Sequence, residues 1–134
     1  MWAHYADGFR GICVTYKMRG LLRGLGDENA LARLAYSDRP HYLNSRAMSD
    51  EALRARSILS TKSSKWAYER EWRLFSPGAG AASHGHRVVP TVYLGMRMDA
   101  SDRRMITQRL EEAGIRVKRT VVDGYSVKYV RPRS

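Results

Sequence analysis

The stretch from Lys62 to Phe75 reads Lys-Ser-Ser-Lys-Trp-Ala-Tyr-Glu-Arg-Glu-Trp-Arg-Leu-Phe. Aromatic and acidic residues are mixed there more densely than anywhere else in the sequence. Because successive side chains of a β-strand point to opposite faces, this alternation predicts a strand with two different faces. One face would hold Trp66, Tyr68, Trp72 and Leu74, and the other would hold Glu69, Glu71, Arg73 and Phe75. We expect the aromatic face to be buried and the acidic face to form a site.

The length and composition bound the rest of the chain. A chain of 134 residues with 43% hydrophobic content predicts one globular domain, residues 1–134, with a core of its own. No apolar run approaches the roughly 20 residues needed to cross a bilayer, and the first residues lack a secretory signal pattern. We therefore expect a cytoplasmic protein without a membrane contact. The sequence gives no indication of oligomeric state.

Charge is the strongest compositional signal. Lysine and arginine total 24 against 13 acidic residues, which leaves a net charge of +11 and a pI near 10.3. Such a balance favours a polyanionic partner, either nucleic acid or a nucleotide. Arginines outnumber lysines and are spread along the chain, so the codon usage of a GC-rich genome is an alternative explanation for the charge.

The sequence does not start with a polar segment, because its first five residues, Met1-Trp2-Ala3-His4-Tyr5, are already rich in aromatic side chains. This start predicts that Met1 is an internal methionine and that the chain is the C-terminal portion of a longer domain.

The spacing of apolar residues, glycines and capping residues predicts the order of the elements. They are a strand at 11–16, a glycine-rich loop at 17–27, a helix at 27–34, an extended piece at 35–36, a helix capped by Ser49 that reaches Ser60, and a strand at 87–94.

The C-terminal third has the clearest pattern. Ser101 is predicted to cap a helix that ends before Gly114, and apolar residues alternate with basic or polar ones in the strand that follows. Asp123-Gly124 is a strong signal for a hairpin turn. The whole chain therefore predicts an α+β fold with a largely antiparallel mixed sheet of about five strands, two to three helices, and a C-terminal helix followed by a β-hairpin.

Several blocks of the sequence together resemble one bacterial family, called domain of unknown function 2971. They are Trp2-x-His4-Tyr5-Ala6-Asp7, Gly11-Ile12-Cys13, Tyr36-Ser37-x-x-Pro40, Lys62, Trp66-x-Tyr68-Glu69-x-Glu71-Trp72-Arg73-Leu74 and Val92-Tyr93-Leu94-Gly95. Members of that family usually carry a further N-terminal segment, so the resemblance agrees with the abrupt start. It implies an architecture more readily than an activity.

One functional interpretation is a transferase that handles NAD or a sugar nucleotide. The Glu69-x-Glu71 pair is similar to the Glu-x-Glu of ADP-ribosyltransferases, in which a carboxylate stabilises the positive charge that develops at the ribose. Glu71 would be the electrostatic catalyst, Glu69 would position or activate the acceptor and Arg73 would bind a phosphate bidentately. His4 and Tyr5 would line the pocket, and NAD is a candidate cofactor whose identity the sequence leaves open. The alternative for the acidic face is a solvated surface with an ion pair to neighbouring lysines.

A second interpretation is a nucleic-acid-binding module. Its basic face would combine residues of the C-terminal helix and the hairpin, and Tyr125 or Tyr129 would stack on bases. The basic residues concerned are Arg103, Arg104, Arg109, Arg116, Lys118 and Lys128. The alternative is that these are the ordinary solvent faces of amphipathic elements.

A third interpretation is a regulatory or interaction domain, within a phage-defence or toxin system, that has no catalytic activity. No metal site is predicted, because His84 and His86 have no Cys, Asp or Glu near them in the sequence. Of the three interpretations, the transferase is preferred, and a nucleic-acid-binding or regulatory module without catalysis is the alternative.

Overall fold

A computed structural model of the chain describes residues 2–39, 42, 44–78, 80 and 85–131. Its elements, in chain order, are α1 (Trp2–Tyr5), β1 (Ile12–Val14), α2 (Met18–Leu25), β2 (Ala30–Arg33), β3 (Ala35–Tyr36), α3 (Ser45–Ser49), α4 (Glu51–Leu59), β4 (Thr61–Lys62), a 3-10 helix (Ser64–Glu69), β5 (Trp72–Phe75), a second 3-10 helix (His86–Val88), β6 (Thr91–Leu94), α5 (Ala100–Glu112), β7 (Arg116–Asp123) and β8 (Ser126–Val130). None of the helices among these residues has the length and apolar composition of a membrane-spanning segment.

The chain divides into two compact units. The first unit combines residues 1–24 with residues 83–134, and the second unit consists of residues 25–82. The predicted α+β class is confirmed, and so is the C-terminal helix followed by a hairpin. That residues 1–134 form one domain stays a prediction.

The first unit is built on a four-stranded mixed sheet with the strand order β1-β6-β7-β8. β1 and β8 lie antiparallel to their neighbours, whereas β6 and β7 are parallel. Parallel strands need a crossover connection, and α5 supplies it. Asp99 caps α5 by accepting a hydrogen bond from the backbone N–H of Ser101, so the helix begins two residues before the predicted position.

The core of the first unit lies between this sheet and α5. Its buried members are Val89, Val92, Leu94, Met98, Ile115 and Val117, and Ile106 and Leu110 of α5 pack against them. The hydroxyl of Thr120 is buried as well, and it donates a hydrogen bond to the Leu94 carbonyl at 3.1 Å. A buried hydroxyl with such a partner costs little free energy, which explains a polar residue in this position.

The described part of the second unit contains two small sheets and two consecutive helices. β2 and β5 are antiparallel, with Arg33 opposite Trp72, and β3 and β4 are parallel, with Tyr36 opposite Lys62. α4 begins after Asp50, whose carboxylate accepts a hydrogen bond from the N–H of Leu53 at 2.9 Å. The predicted helix here is confirmed, although its cap is Asp50 rather than Ser49.

The predicted loop at 17–27 and helix at 27–34 are both wrong. The helix is α2, and the residues predicted to be helical form β2 instead. Met18, Leu21, Leu22 and Leu25 have the spacing of one helical face, and this apolar stripe outweighs the cost of two glycines. Gly20 lies close to Val88, because a Cβ there would lie 3.2 Å from the Val88 Cγ1, and a larger residue would need a small shift of that side chain.

The prediction that the central stretch is one strand is also wrong. Lys62 ends β4, the next residues form the first 3-10 helix, and strand structure resumes only in β5. Arg70 adopts the left-handed conformation, with φ of 49°, between the 3-10 helix and β5. Such a residue reverses the local direction of the backbone and ends any alternation of side chains across it.

The buried and exposed faces of β5 are the reverse of the prediction. Trp72 is 52% exposed and Leu74 is 41% exposed, whereas Arg73 and Phe75 are half-buried. A two-stranded sheet is too small to be buried on both faces. Here the end of α4 covers the face that carries Arg73. The contact is direct, because Arg73 donates a hydrogen bond to the Leu59 carbonyl.

Gly24→Ala is expected to stabilise the protein by about 0.5–1 kcal/mol. Gly24 is exposed and lies in α2, and no atom lies within 4 Å of the position that an alanine Cβ would occupy, so the substitution adds helix propensity without a clash. Urea unfolding followed by circular dichroism would measure the change. An unfolding midpoint at or below that of the wild type would contradict the assignment of Gly24 to an open helical position.

Candidate functional site

Lys62 is the centre of a charged cluster in the second unit. Its ammonium Nζ lies 2.5 Å from Glu69 Oε2 and 3.1 Å from Glu71 Oε2. Arg73 completes the group, because its Nε lies 2.6 Å from Glu71 Oε1. We call these four residues the Lys62 cluster. It holds two positive and two negative charges, and its carboxylates converge on one ammonium group.

The backbone brings Glu69 and Glu71 together across a left-handed residue rather than along one regular strand. Arg70, in its left-handed conformation, separates the end of the 3-10 helix from β5, so Glu69 approaches Lys62 from the last position of that helix and Glu71 from the residue just before β5. The N–H of Glu71 donates to the Tyr36 hydroxyl at 2.7 Å, and its carbonyl accepts from the N–H of Leu34 at 3.1 Å. Both backbone groups of Glu71 are therefore fixed.

The Lys62 cluster is mostly shielded from solvent. The Glu69 side chain is only 8% exposed and that of Glu71 is 27% exposed. The sequence-based alternative of an ion pair to a neighbouring lysine is therefore present, but the acidic residues do not form a solvated surface. Shielding strengthens the attraction between opposite charges, so these side chains hold one another in position.

The pKa of the Glu71 carboxyl is held below its ordinary value. The hydrogen bond from Arg73 is the largest cause and that from Lys62 adds to it, while burial acts in the opposite direction. The hydrogen bonds that Lys62 donates to Glu69 and Glu71 raise the pKa of Lys62, with the bond to Glu69 as the largest cause. Glu71 is thus ionised and Lys62 is protonated at neutral pH, which is the charge state that the geometry requires.

An aromatic side chain lies beside the cluster. The Lys62 Nζ is 5.0 Å from the centre of the Trp66 ring, which is within the range of a cation–π contact. Tyr68 lies next to Trp66, with their ring centres 6.1 Å apart. Trp66 is half-buried, so it partly agrees with the predicted core role, whereas Tyr68 is 60% exposed and does not.

A shallow depression adjoins Lys62 at the carboxyl ends of the parallel strands β3 and β4. It is lined by Ser37, Asp38, Arg39, Thr61, Lys62 and Ser63. Asp38 is fixed there, because its Oδ1 accepts from the Ser63 hydroxyl at 2.7 Å and from the N–H of Ser64 at 3.0 Å. These hydrogen bonds lower the pKa of the Asp38 carboxyl, and the bond from the Ser63 hydroxyl is the largest cause. The depression offers cations, hydroxyl groups and one carboxylate to a ligand.

Sequence reasoning missed Lys62 and this depression as parts of the site. Lys62 stands in the quoted stretch and in the family resemblance, yet its role depends on Glu69 and Glu71, seven and nine residues further along the chain. The depression depends on a contact between Asp38 and Ser64, which are 26 residues apart. No local pattern encodes either contact.

The structure brings Glu69, Glu71 and Arg73 together, as predicted. His4 and Tyr5 belong to the first unit, where both lie exposed on α1. Their role as pocket residues stays a prediction. His84 lies outside the described residues, as does the side chain of His86. Among the residues that the structure does describe, no group of three or more His, Cys, Asp or Glu could hold a metal ion.

The basic residues assigned to a nucleic-acid face lie on three elements of the first unit. Arg103, Arg104 and Arg109 are on α5, Arg116 and Lys118 are on β7, and Lys128 is on β8. α5 packs on the face of β7 that carries Val117, so Arg116 and Lys118 project from the opposite face. Lys128 forms an ion pair with Asp123. The six residues are thus distributed over both faces of the sheet, and their nucleic-acid role stays a prediction.

With this geometry in place, comparison with known proteins gives one match. The sequence model of the family described as "Protein of unknown function (DUF2971)" matches residues 1–74, which is more than half of the 134 residues. The chain belongs to this family. The DUF2971 match runs from α1 into β5 and contains all four residues of the Lys62 cluster, and it confirms the resemblance in that part of the sequence. The Val92–Gly95 block lies beyond the matched residues. No curated protein and no solved structure matches the chain.

Proposed function

We propose that the protein is a transferase that acts on NAD or a sugar nucleotide, with the Lys62 cluster as its catalytic centre. The observation that carries this proposal is the convergence of the Glu69 and Glu71 carboxylates on one ammonium group, in a setting mostly shielded from solvent. Two ionised carboxylates held at one point are suited to a reaction in which positive charge develops on a sugar ring.

Glu71 is the electrostatic catalyst in this proposal. The bond between the ribose C1′ and the leaving group breaks, and its electron pair departs with the leaving group. The ring then carries the positive charge of an oxocarbenium-like state, which an ionised carboxylate stabilises. The lowered pKa of Glu71 supports this role, because the side chain stays ionised at neutral pH. Its fixed backbone N–H and carbonyl keep the carboxylate in place without reorganisation.

Lys62 and Arg73 hold the carboxylates before the substrate arrives and bind its phosphates afterwards. Both Glu71 oxygens are engaged by these cations, so a substrate must compete for them. A diphosphate is the ligand that achieves this, since its oxygens are as attractive to Lys and Arg as a carboxylate is. The depression beside Lys62 adds Arg39 and the Ser37 hydroxyl as further phosphate ligands, whereas the Ser63 hydroxyl already donates to Asp38.

Glu69 is the base that activates the acceptor. As the acceptor oxygen or nitrogen bonds to C1′, its proton passes to the Glu69 carboxylate, and the bond to the leaving group is replaced by the bond to the acceptor. A carboxylate paired with an ammonium group is a weak base until that ammonium moves towards the phosphates. Substrate binding would therefore activate Glu69 and free Glu71 in a single exchange of partners.

The test is a measurement of nicotinamide release from NAD by the full chain, with and without a cell extract as the source of acceptor. We expect Glu71→Gln to lower the rate at least about tenfold while the protein stays folded, because the amide keeps the shape but loses the charge. Glu111→Gln, an exposed position on α5, is the matched control and should leave the rate unchanged. Equal rates for wild type and Glu71→Gln would reject the catalytic role and leave an ion-pair network with a structural role only.

A further inference from the structure

A second cleft lies in the first unit, at the end of α5 and beside the start of β6 and β7. Its volume is about 530 Å³, within the range of small-molecule sites. The residues that line it are Lys17, Arg87, Val89, Pro90, Ala113, Gly114, Ile115 and Arg116. We call it the basic cleft. None of its described lining residues is acidic, so three cationic side chains surround one concave surface.

The backbone holds the three cations at this cleft. The N–H of Lys17 donates to the Val88 carbonyl at 2.7 Å, which fixes Lys17 beside the second 3-10 helix, where Arg87 lies. Arg116 begins β7 and stands opposite Thr91 in the parallel pair of β6 and β7. Cations gathered in this way repel one another, and a bound anion relieves that repulsion.

The end of α5 does not cancel the attraction for an anion. A helix C-terminus carries a partial negative charge because its last carbonyls lack partners. Here the carbonyls of Arg109, Leu110 and Glu111 accept hydrogen bonds from the N–H groups of residues 113–115. The cations are therefore the dominant charges at the basic cleft.

The floor of the basic cleft is apolar. Val89 and Ile115 are buried core residues, and Pro90 lies half-buried between Val89 and β6. Pockets that bind small molecules combine such an apolar surface with a few convergent polar groups. A ligand that matches both features carries negative charge at one end and a largely apolar group at the other.

We propose that the basic cleft binds a nucleoside phosphate, with the phosphates between Lys17, Arg87 and Arg116 and the base on Val89, Pro90 and Ile115. Guanidinium and ammonium groups form charge-assisted hydrogen bonds to phosphate oxygens, and the ring of a base is a largely apolar group of the kind that the floor accommodates. None of these residues belongs to the Lys62 cluster, so this binding site does not depend on the proposed transferase reaction.

Titration calorimetry of the full chain with ADP tests the proposal. We expect a Kd below about 1 mM for ADP, and binding of adenosine and of pyrophosphate at least about tenfold weaker, because each lacks one half of the ligand. The Arg87→Gln/Arg116→Gln double variant should weaken ADP binding at least about tenfold. ADP binding that this double variant leaves unchanged would overturn the proposal, because the diphosphate would then bind elsewhere, as at the Lys62 cluster.

The matched control is the Arg103→Gln/Arg104→Gln double variant, which removes the same charge from α5 and should change the Kd by less than about twofold. Equal weakening by both double variants would show a general charge effect and overturn the proposal. Absence of ADP binding, or equally strong binding of pyrophosphate, would overturn it as well. A single-stranded DNA oligonucleotide that binds over about 100-fold more tightly than ADP through Arg87 and Arg116 would instead identify a nucleic-acid strand as the ligand.

Discussion

Gly95→Ala is expected to destabilise the first unit by about 4 kcal/mol or more, enough to unfold a marginally stable domain. Gly95 is buried immediately after β6, and a Cβ there would lie 2.0 Å from the carbonyl oxygen of Phe9 and 2.5 Å from its carbonyl carbon. These atoms belong to the backbone and cannot rotate away. Hydrogen bonds from Gly95 to Gly11 and from Arg97 to Phe9, each 3.0 Å long, hold the two segments together.

Urea unfolding of Gly95→Ala, followed by circular dichroism, would measure this loss. Gly24→Ala is the matched control, since it adds the same methyl group at an open position and should move the midpoint upwards. Midpoints that agree between Gly95→Ala and the wild type would show that residues 9–11 do not approach Gly95 closely enough to exclude a methyl group.

Lys62→Met is expected to lower the Tm by about 5 °C or more at neutral pH. The substitution keeps the length of the side chain but leaves Glu69 and Glu71 with Arg73 as the remaining cation of the cluster. Two shielded carboxylates that share one cation repel each other, and removing one partner of a shielded ion pair costs more than the pair contributes. Thermal unfolding at about pH 7 measures the effect.

The same substitution should change how stability depends on pH. In the wild type, the pKa of Glu71 is lowered in the folded state, so its contribution is present above the ordinary value of 4.5 and is lost as the pH falls below it. In Lys62→Met, repulsion raises the pKa of one carboxyl above its unfolded value, so protonation stabilises the folded variant. The difference in Tm between wild type and variant should therefore shrink from about pH 7 to about pH 4.

Lys65→Met provides the control for charge alone. Lys65 is exposed and lies 6.0 Å from the centre of the same Trp66 ring, and the Tm of this variant should stay within about 2 °C of the wild type at both pH values. If Lys62→Met and Lys65→Met behaved alike, the Lys62 cluster would contribute no more than a surface lysine does.

The sequence was a good guide wherever structure depends on near neighbours. The C-terminal helix and hairpin were predicted because caps, glycine stops and alternating apolar residues act within a few positions of one another. Asp123-Gly124 indicated the turn to within one residue, since Asp123 and Ser126 form the last pair of the hairpin. Gly124 adopts φ of 59°, as such a turn requires.

The central stretch was mispredicted because distant contacts outweigh its local pattern. Asp38 binds the Ser63 hydroxyl and the N–H of Ser64, and these bonds favour the start of a 3-10 helix where alternation predicts a strand. Glu69, Glu71 and Arg73 nevertheless lie in one charged cluster, with the left-handed Arg70 between the two acids, and their role as site residues stays a prediction. The residue that joins them, Lys62, could be recognised only from its contacts in three dimensions.

The order of the first unit along the chain has a consequence for its biosynthesis. β1 comprises residues 12–14, but its sheet partner β6 comprises residues 91–94, so β1 leaves the ribosome long before any strand is available to pair with it. The second unit, residues 25–82, is synthesised in that interval and has all of its own strand partners. During translation the second unit can therefore fold first, and β1 can pair with β6 only after residues 91–94 have been synthesised.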